Sequence, residues 1–425
     1  MAAFRVVRDL HLTFLTRCAF FLQVKIRQTF RFYPTERQKR SLARTFGCVR
    51  VAYNTALRLR TDSFKAGKTI NYNASSAALT AQKKTDAFKY LNEVSSVPLQ
   101  QSLRHLQTAY SNFFAKRAKF PRFKSKYGKQ SAEFTTSGFK WDAVNRNLTI
   151  SKVGRLHVEW SREFASQPST VTITKDCAGR YFVTLCLDEA KHALPKTGKQ
   201  VGIDLGTKRL ATLSSGERIA NPRHTAKHAV KLAKLQRVLS RRVKRSNRWR
   251  LQKLKVARLQ AHIADSRKDC LDKLTTRLVR EFDVLCIEDL NARGMVKNRC
   301  LAKTVSCASF GMFRSMLEYK AAWYGKEVRV ADRFFPSSKR CHCCGFVNAA
   351  VVLGVEEWDC PECKVHHDRD DNASHNILKF AKATSPTTAG QAGSNGRGAH
   401  VSRGKASASP RNARRSVNQP GSANV

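Results

Sequence analysis

The sequence predicts an α/β multidomain protein. A small antiparallel β-barrel, split by an inserted helical lobe, precedes a mixed α/β half that carries a metal-binding insert. Three observations lead there. Apolar residues alternate with period two in 24–32 and again in 148–187, while 35–115 between them shows three- and four-residue spacing. The second half reads as strand, strand, long helix, strand, helix, strand. Two CxxC pairs stand between Cys341 and Cys363. A length of 425 residues suits two to four domains, and 42% hydrophobic with 9% aromatic residues excludes global disorder.

Taken in order, residues 1–22 are mildly apolar but interrupted by Asp9 and Arg17, and read as a leader extension. Val24, Ile26, Phe30 and Phe32 alternate with polar residues as one strand, which Pro34 ends. Thr35 then caps a helix, with Gln38 at the reciprocal capping position. Leu42, Phe46, Val49, Tyr53 and Leu57 make its apolar face, and a second helix runs from Leu99 to Phe113. Residues 35–129 are therefore the helical lobe, inserted between 23–34 and 130–190 of the barrel. Asp176-Cys-Ala-Gly179 predicts a hairpin turn, and 189–199 a linker. Val201–Leu205 and Leu210–Leu213 are strands joined to a Ser215-Gly216 turn. A long helical stretch follows, broken near Ser246-Asn247, with Leu232, Leu235, Leu239, Leu251, Leu254, Leu259 and Ile263 as apolar stripes. Val284–Ile287 is a buried strand, Phe310–Tyr324 a helix, and Val328 with Val330 a further strand. Residues 384–425 lack aromatics, Leu and Ile, and read as a disordered basic tail.

Charge narrows the partners. Lys and Arg number 79 against 31 Asp and Glu, a net +48. A chain this positive repels itself unless it meets a polyanion, and nucleic-acid phosphate is the leading one. An anionic membrane is second, but no run of about 20 apolar residues exists to span one. Half of residues 116–129 (KRAKFPRFKSKYGK) are basic, interleaved with Phe120, Phe123 and Tyr127, which suits phosphate contact with base stacking. The bland alternative is a solvated loop that its aromatics anchor to the core. From 218 to 264 there are 15 Lys or Arg and no acid. A solvated face rarely keeps one sign so long.

Cysteine usage separates into two kinds. Thirteen is an odd number, and eight are scattered, so a secreted disulfide framework is excluded in favour of buried thiols in a reducing cytoplasm. The rest cluster. Cys341 and Cys344 are followed, after fifteen residues, by Cys360 and Cys363. Two such knuckles place four thiolates around a tetrahedral ion, and four thiolates leave no open position, so the site is structural zinc. Cys343 is a spare thiol, and His342, His366 or His367 could replace one ligand.

Three carboxylates stand where strands end or a helix begins: Asp204 in GIDLGTKRLATLSSG, Glu288 in VLCIEDLN, and Asp370 in HDRDDNASHNI. Each alone could be a cap or an ion-pair partner. Together, in a βββ…β…α order and an acid-poor chain, they match an RNase H-like fold, where such acids converge on divalent metal. Hard oxygen ligands favour magnesium.

These segments, with CHCCG…CPECKVHHDRDDNASHNIL, FRFYPTERQKRSLARTFGCVRVAYNTALRLR and FPRFKSK, resemble the OrfB/TnpB family of insertion-sequence proteins over roughly 24–380. That family is similar to type V CRISPR effectors. The resemblance implies a transposon-encoded, RNA-guided DNA endonuclease of cytoplasmic, nucleoid-associated location. It implies a wedge barrel with a helical recognition lobe, a RuvC nuclease domain over 198–336 and 368–383, and a zinc ribbon over 337–367. It implies Asp204, Glu288 and Asp370 as catalytic ligands of two magnesium ions, with Asp368 and Asp371 as neighbours. Cys341, Cys344, Cys360 and Cys363 are the zinc ligands so implied, and a DNA target and a guide RNA from the transposon end the partners. Ser374-His375 departs from the small residues usual there. The alternatives are a transposase acting directly in recombination and a non-catalytic regulator using the zinc ribbon with a helix-turn-helix over 35–60.

Overall fold

The computed structural model describes residues 21–352 and 354–383; the leader over 1–20 and the tail over 384–425 lie outside the described residues. Strand β1 (Phe21–Phe32) begins inside the stretch read as leader and ends before Pro34. Helix α1 (Glu36–Lys65) follows at once. Thr35 Oγ1 accepts the Gln38 N–H at 3.3 Å and Gln38 Oε1 accepts the Thr35 N–H at 3.0 Å, the reciprocal cap that the sequence predicts. The helix runs unbroken past residue 60, so 35–60 lies within a single helix. Helices α2 (Tyr72–Gln82) and α3 (Ser96–Phe114) complete the insertion.

The strands that follow are β2 (Gln130–Thr135), β3 (Phe139–Asp142), β4 (Asn147–Ile150), β5 (Gly154–Leu156), β6 (Val158–Glu159), β7 (Thr170–Lys175) and β8 (Tyr181–His192). They make a five-stranded antiparallel sheet in the order β2-β7-β8-β1-β6 and a three-stranded one, β3-β4-β5. Strand β8 pairs with β1 from Tyr181↔Phe32 to His192↔Phe21, so the first part of the expected linker is strand. Gly179, at φ +80°, turns β7 into β8 where the hairpin was expected. Phe30, Trp141, Trp160 and Phe164 stack between the two sheets, with Phe30 and Trp160 centroids 4.9 Å apart. One core runs from Ile26 and Phe30 through Leu42, Leu57, Leu103 and Leu106 to Val183 and Leu187. The helices thus share their apolar interior with the sheet.

The second half holds β9 (Gln200–Asp204), β10 (Arg209–Leu213), β11 (Arg218–Ala220), α4 (His224–Lys227), α5 (Ala229–Ser240), α6 (Asn247–Glu281) and β12 (Val284–Glu288). Helices α7 (Ala292–Met295), α8 (Arg299–Ala308) and α9 (Phe310–Tyr324), then β13 (Glu327–Ala331), follow. Last come the hairpin of β14 (Glu357–Asp359) and β15 (His366–Asp368), then α10 (Arg369–Ala383). The sheet order is β11-β10-β9-β12-β13, antiparallel as far as β9 and parallel beyond it. Ser246 caps α6 by accepting the Trp249 N–H at 3.2 Å, so the long stretch breaks where Ser and Asn interrupt it.

Ile203, Ile287, Leu274, Leu278, Phe313 and Leu317 bury one face of this sheet against α6 and α9. The expected stripe residues differ in burial. Leu251 is exposed, and Leu232, Leu235 and Leu239 of α5 are only half-buried, whereas Leu259 and Ile263 of α6 are buried. Among the described residues no helix is long and apolar enough to cross a membrane.

Candidate active site and metal centre

Strands β9 and β12 run parallel with Ile203 opposite Ile287. Asp204 and Glu288 are the next residues on each strand. They therefore lie side by side, and on the face opposite the two isoleucines, because side chains alternate along a strand. Helix α10 covers that second face, with Ile377 packed against Val284 and Cys286. Gly202 lets it approach. A Cβ at that position would collide with the Ser374 carbonyl oxygen and lie 2.9 Å from Leu378 Cβ. Ser374 is fully buried, so its small side chain serves where the sequence departs from the family pattern. Asp370, one turn before Ser374, thereby reaches the end of β9.

The electrostatics register that meeting. Burial first, then the charges of Glu288 and Asp370, push the Asp204 carboxyl well above its usual range. Burial likewise raises Glu288, although Ser337 Oγ donates a hydrogen bond to Glu288 Oε1. Arg369 is the cation whose charge offsets part of both shifts. The two neighbouring acids have other partners. Asp368 Oδ1 accepts the N–H groups of Asp370 at 3.0 Å and Asp371 at 3.2 Å, which caps α10. Arg209 (3.2 Å) and Arg218 (3.0 Å) also hold Asp368, and Arg218 pairs with Asp371. Although burial opposes it, that N–H and those arginines keep the Asp368 carboxyl below its usual value. Asp370 is left with Arg209 at 3.9 Å. The three acids named from sequence are thus the ones brought together, while Asp368 and Asp371 are spoken for.

Glu288 and Asp370 raise the proton affinity of the buried Asp204 carboxyl, and a hard divalent cation would relieve that repulsion. Their spacing is looser than that of the cysteines. Among the described residues, only Cys341, Cys344, Cys360 and Cys363 gather their ligand atoms within 4.8 Å of one another. Cys341 and Cys363 Sγ are 3.6 Å apart and Cys344 and Cys360 Sγ 3.5 Å. A tetrahedron of about 2.3 Å zinc–sulfur bonds has edges of about 3.8 Å, so the four sulfurs fit zinc. Burial opposes ionisation of Cys341, yet the Cys344 N–H and His367 outweigh it and bring the thiol to about 5.

None of the histidines displaces a cysteine. Buried His367 places Nε2 3.0 Å from Cys341 Sγ, as a partner of the sulfur. His366 Nδ1 faces Asp359 at 2.8 Å, and His342 Nδ1 faces Asn372 at 3.1 Å. Cys343 is exposed.

Sequence reasoning missed the residues that tie the two centres. Asn376 donates to the Ser337 carbonyl at 2.8 Å, and Asn372 donates to the Arg340 carbonyl at 2.7 Å. The His342 N–H donates to Asn372 Oδ1 at 2.9 Å. Both asparagines are buried. The only sequence signal was two Asn four residues apart on a short helix, which names no partner.

The basic stretches also come together. Phe123 and Tyr127 are 61% and 62% exposed, so they are not the anchors of a solvated loop. Anchoring falls to Lys124, whose N–H and C=O both bond the Asn54 side chain, and to Phe120 against Tyr110. Lys253 of α6 lies 5.8 Å from the Tyr127 ring and 5.0 Å from Trp249. Among the described residues, no Lys or Arg from Arg223 to Arg258 pairs with a carboxylate.

Three family models match, described as "Probable transposase" over 183–299, "Cas12f1-like, TNB domain" over 310–377 and "Helix-turn-helix domain" over 24–69. A Streptomyces pristinaespiralis protein named "Putative RNA-guided DNA endonuclease" is 50% identical, covering 85% of this chain and 91% of that one. Escherichia coli K12 "Putative RNA-guided DNA endonuclease InsQ" is 34% identical, covering 84% and 92%. In fold, the chain is similar to the protein of a Cas12f1–sgRNA–target DNA complex, with a TM-score of 0.54 at 14% identity, covering 80% and 83%. At such identity over most of both chains, this protein belongs to the OrfB/TnpB family of insertion-sequence proteins.

Proposed function

We propose that this protein is a transposon-encoded RNA-guided endonuclease that cuts DNA by hydrolysing phosphodiester bonds at the face shared by Asp204, Glu288 and Asp370. The observation that carries it is the placement of three acids, from segments far apart in sequence, on one side of the β9–β12 pair. The names of the Streptomyces and Escherichia relatives support the activity, and the Cas12f1 likeness supports the fold. The division into a wedge barrel (23–34 and 130–190), a helical recognition lobe (35–129), a RuvC nuclease (198–336 and 368–383) and a zinc ribbon (337–367) is part of the same reading. So is a cytoplasmic, nucleoid-associated location.

Asp204, Glu288 and Asp370 would hold divalent magnesium, which supplies Lewis acidity and an activated water when bound. The chain's own residues do the rest. Ser337 fixes one Glu288 oxygen and leaves the other free. Arg369 limits the repulsion among the acids. Sequence choice is delegated to base pairing, so the protein grips backbone: the uncompensated cations of α5 and α6 bind phosphate, and Phe123 and Tyr127 offer stacking faces. Cys341, Cys344, Cys360 and Cys363 would hold zinc as a structural ion.

The test is cleavage of plasmid DNA by the purified protein with its co-purified RNA and magnesium. Cutting should vanish after RNase treatment and in Asp204→Ala. Cutting that survives RNase would replace this reading with a transposase acting on its own. A protein that binds DNA but never cuts it would leave only a regulator.

A further inference from the structure

A cleft of about 390 Å³ lies where the β7–β8 turn meets α6, away from both centres described above. Its floor is open because the residues there are small: Ala178 and Gly179 on the turn, and Ala261 on the helix. Its walls carry Arg31 from β1, Arg180 from the β7–β8 turn, and Arg258 and His262 from α6, against a single acid, Asp265. That acid is taken. Arg180 Nε donates to Asp176 at 2.7 Å, and its Nη1 pairs with Asp265.

Arg31 and Arg258 have no carboxylate partner among the described residues. Arg31 is held in place by the rings of Tyr33 (5.4 Å) and Phe182 (5.2 Å), yet its buried Nε has no hydrogen-bond acceptor. A preset guanidinium with an unanswered donor, beside a second free guanidinium and an imidazole, asks for an oxyanion.

We propose that this cleft seats a backbone phosphate of the bound nucleic acid, a proposal that rests on the nucleic-acid reading above. The backbone, and not a free phosphate ion, is the occupant because the cleft continues a path. Arg258 is on the same helix as Lys253, and Lys253 stands beside the exposed Tyr127. A strand stacked on Phe123 and Tyr127 and running along α6 would pass the cleft. Arg31 is on β1 and Arg180 immediately precedes its partner strand β8, so the phosphate would clamp the sheet to α6.

The experiment measures binding of full-length protein to a labelled single-stranded RNA and to an RNA–DNA duplex of about 20 base pairs, across a salt series. The Arg31→Gln/Arg258→Gln double variant should bind roughly tenfold more weakly at fixed salt. The slope of log Kd against log salt should shrink by about 0.7 to 0.9 for each phosphate that is no longer neutralised. A Lys65→Gln/Lys68→Gln control removes the same charge elsewhere and should weaken binding less. Asp265→Asn should bind a few-fold tighter, since it adds net positive charge to the wall while Asp176 still holds Arg180. A gain cannot come from misfolding.

Weakening in the double variant no greater than in the control, or an Asp265→Asn variant that binds no tighter, overturns the proposal. Inorganic phosphate that competes beyond its ionic strength would make a free anion the ligand and also overturn it. Wild-type protein that binds neither probe would sink the nucleic-acid reading itself, a result distinct from failure of the cleft alone. The arm in which the variants are weakened more, RNA or duplex, names the strand.

Discussion

The cysteine centre and the acid centre are built by opposite strategies. The four sulfurs come from two short knuckles within 341–363 and close to within 4.8 Å, so the site is local and shut. The acids come from residues 204, 288 and 370, and they meet only because a parallel strand pair, a bare glycine and a helix start coincide. A local site can be read from spacing. A distributed one depends on the whole fold, and so its geometry can be damaged from far away. Ser337 joins the two: it stands shortly before the first cysteine, and its hydroxyl holds Glu288.

The largest effect tests the distributed site. Alanine at Asp204, Glu288 or Asp370 should lower DNA cleavage by roughly 10³-fold or more, about 4 kcal/mol of barrier, while DNA and RNA affinity stay near wild type. Gel cleavage and binding assays on the same preparations check this. Alanine at Asp368 should instead fray α10 and lower the melting temperature, because that acid caps the helix. If Asp368→Ala abolished cutting without loss of stability and Asp370→Ala did not, the two roles would have to be exchanged.

The next effect tests whether the local site is truly separate. Cys341→Ser/Cys344→Ser should release zinc, measured by elemental analysis. Cleavage should then fall by roughly 10- to 100-fold, the size typical of disturbed outer-shell support, because Arg340 and Ser337 anchor Asn372 and Asn376 of α10. Full activity without zinc would mean that the two centres are independent. Ser337→Ala is the milder cut through the same link. It should reduce cleavage roughly tenfold and raise the magnesium concentration needed for half activity, with zinc content and DNA affinity unchanged.

The contrast also explains what the sequence could and could not disclose. Period-two and period-3.6 patterns place β1, β7, β8, α1 and α9 because each buries one face, and pattern is the signature of a buried face. The Thr35 cap and the Gly179 turn were legible because their chemistry is local. The limits of β8 were not, since its last residues are strand only by pairing with Phe21 to Val24. Nor was the exposure of Leu251, which shares its apolar stripe with buried Leu259 and Ile263. Among Asp368, Asp370 and Asp371, the family resemblance singled out the middle one without saying what holds the others. Two arginines from β10 and β11 engage the first and last, and that pairing is tertiary. The partners of Asn372, Asn376 and Ser337 were not legible, because a hydrogen bond to a remote group leaves no periodicity.

The smallest effect concerns stability, and it separates the centres by sign. Burial and its acidic neighbours raise the Asp204 carboxyl above its unfolded value. Without magnesium, the folded chain therefore keeps a proton there at pH values where the unfolded chain has lost it. Stability then falls as pH rises from the ordinary carboxylate range through the raised value, and the full penalty stands above it. Asp204→Asn removes the ionisation. With zinc retained and no magnesium added, that variant should melt higher than wild type at neutral pH, by on the order of 1 kcal/mol for each unit of displacement. Its melting temperature should also lose that part of the pH slope. Adding magnesium should raise the wild-type melting temperature and leave the variant nearly unmoved, since binding to the folded state alone stabilises it. A ligand removed from the cysteine centre should do the reverse and lower stability at every pH, because there the metal holds the fold together. An Asp204→Asn protein that melts below wild type under these conditions would show that the carboxylate is structurally paired and not held open for a cation.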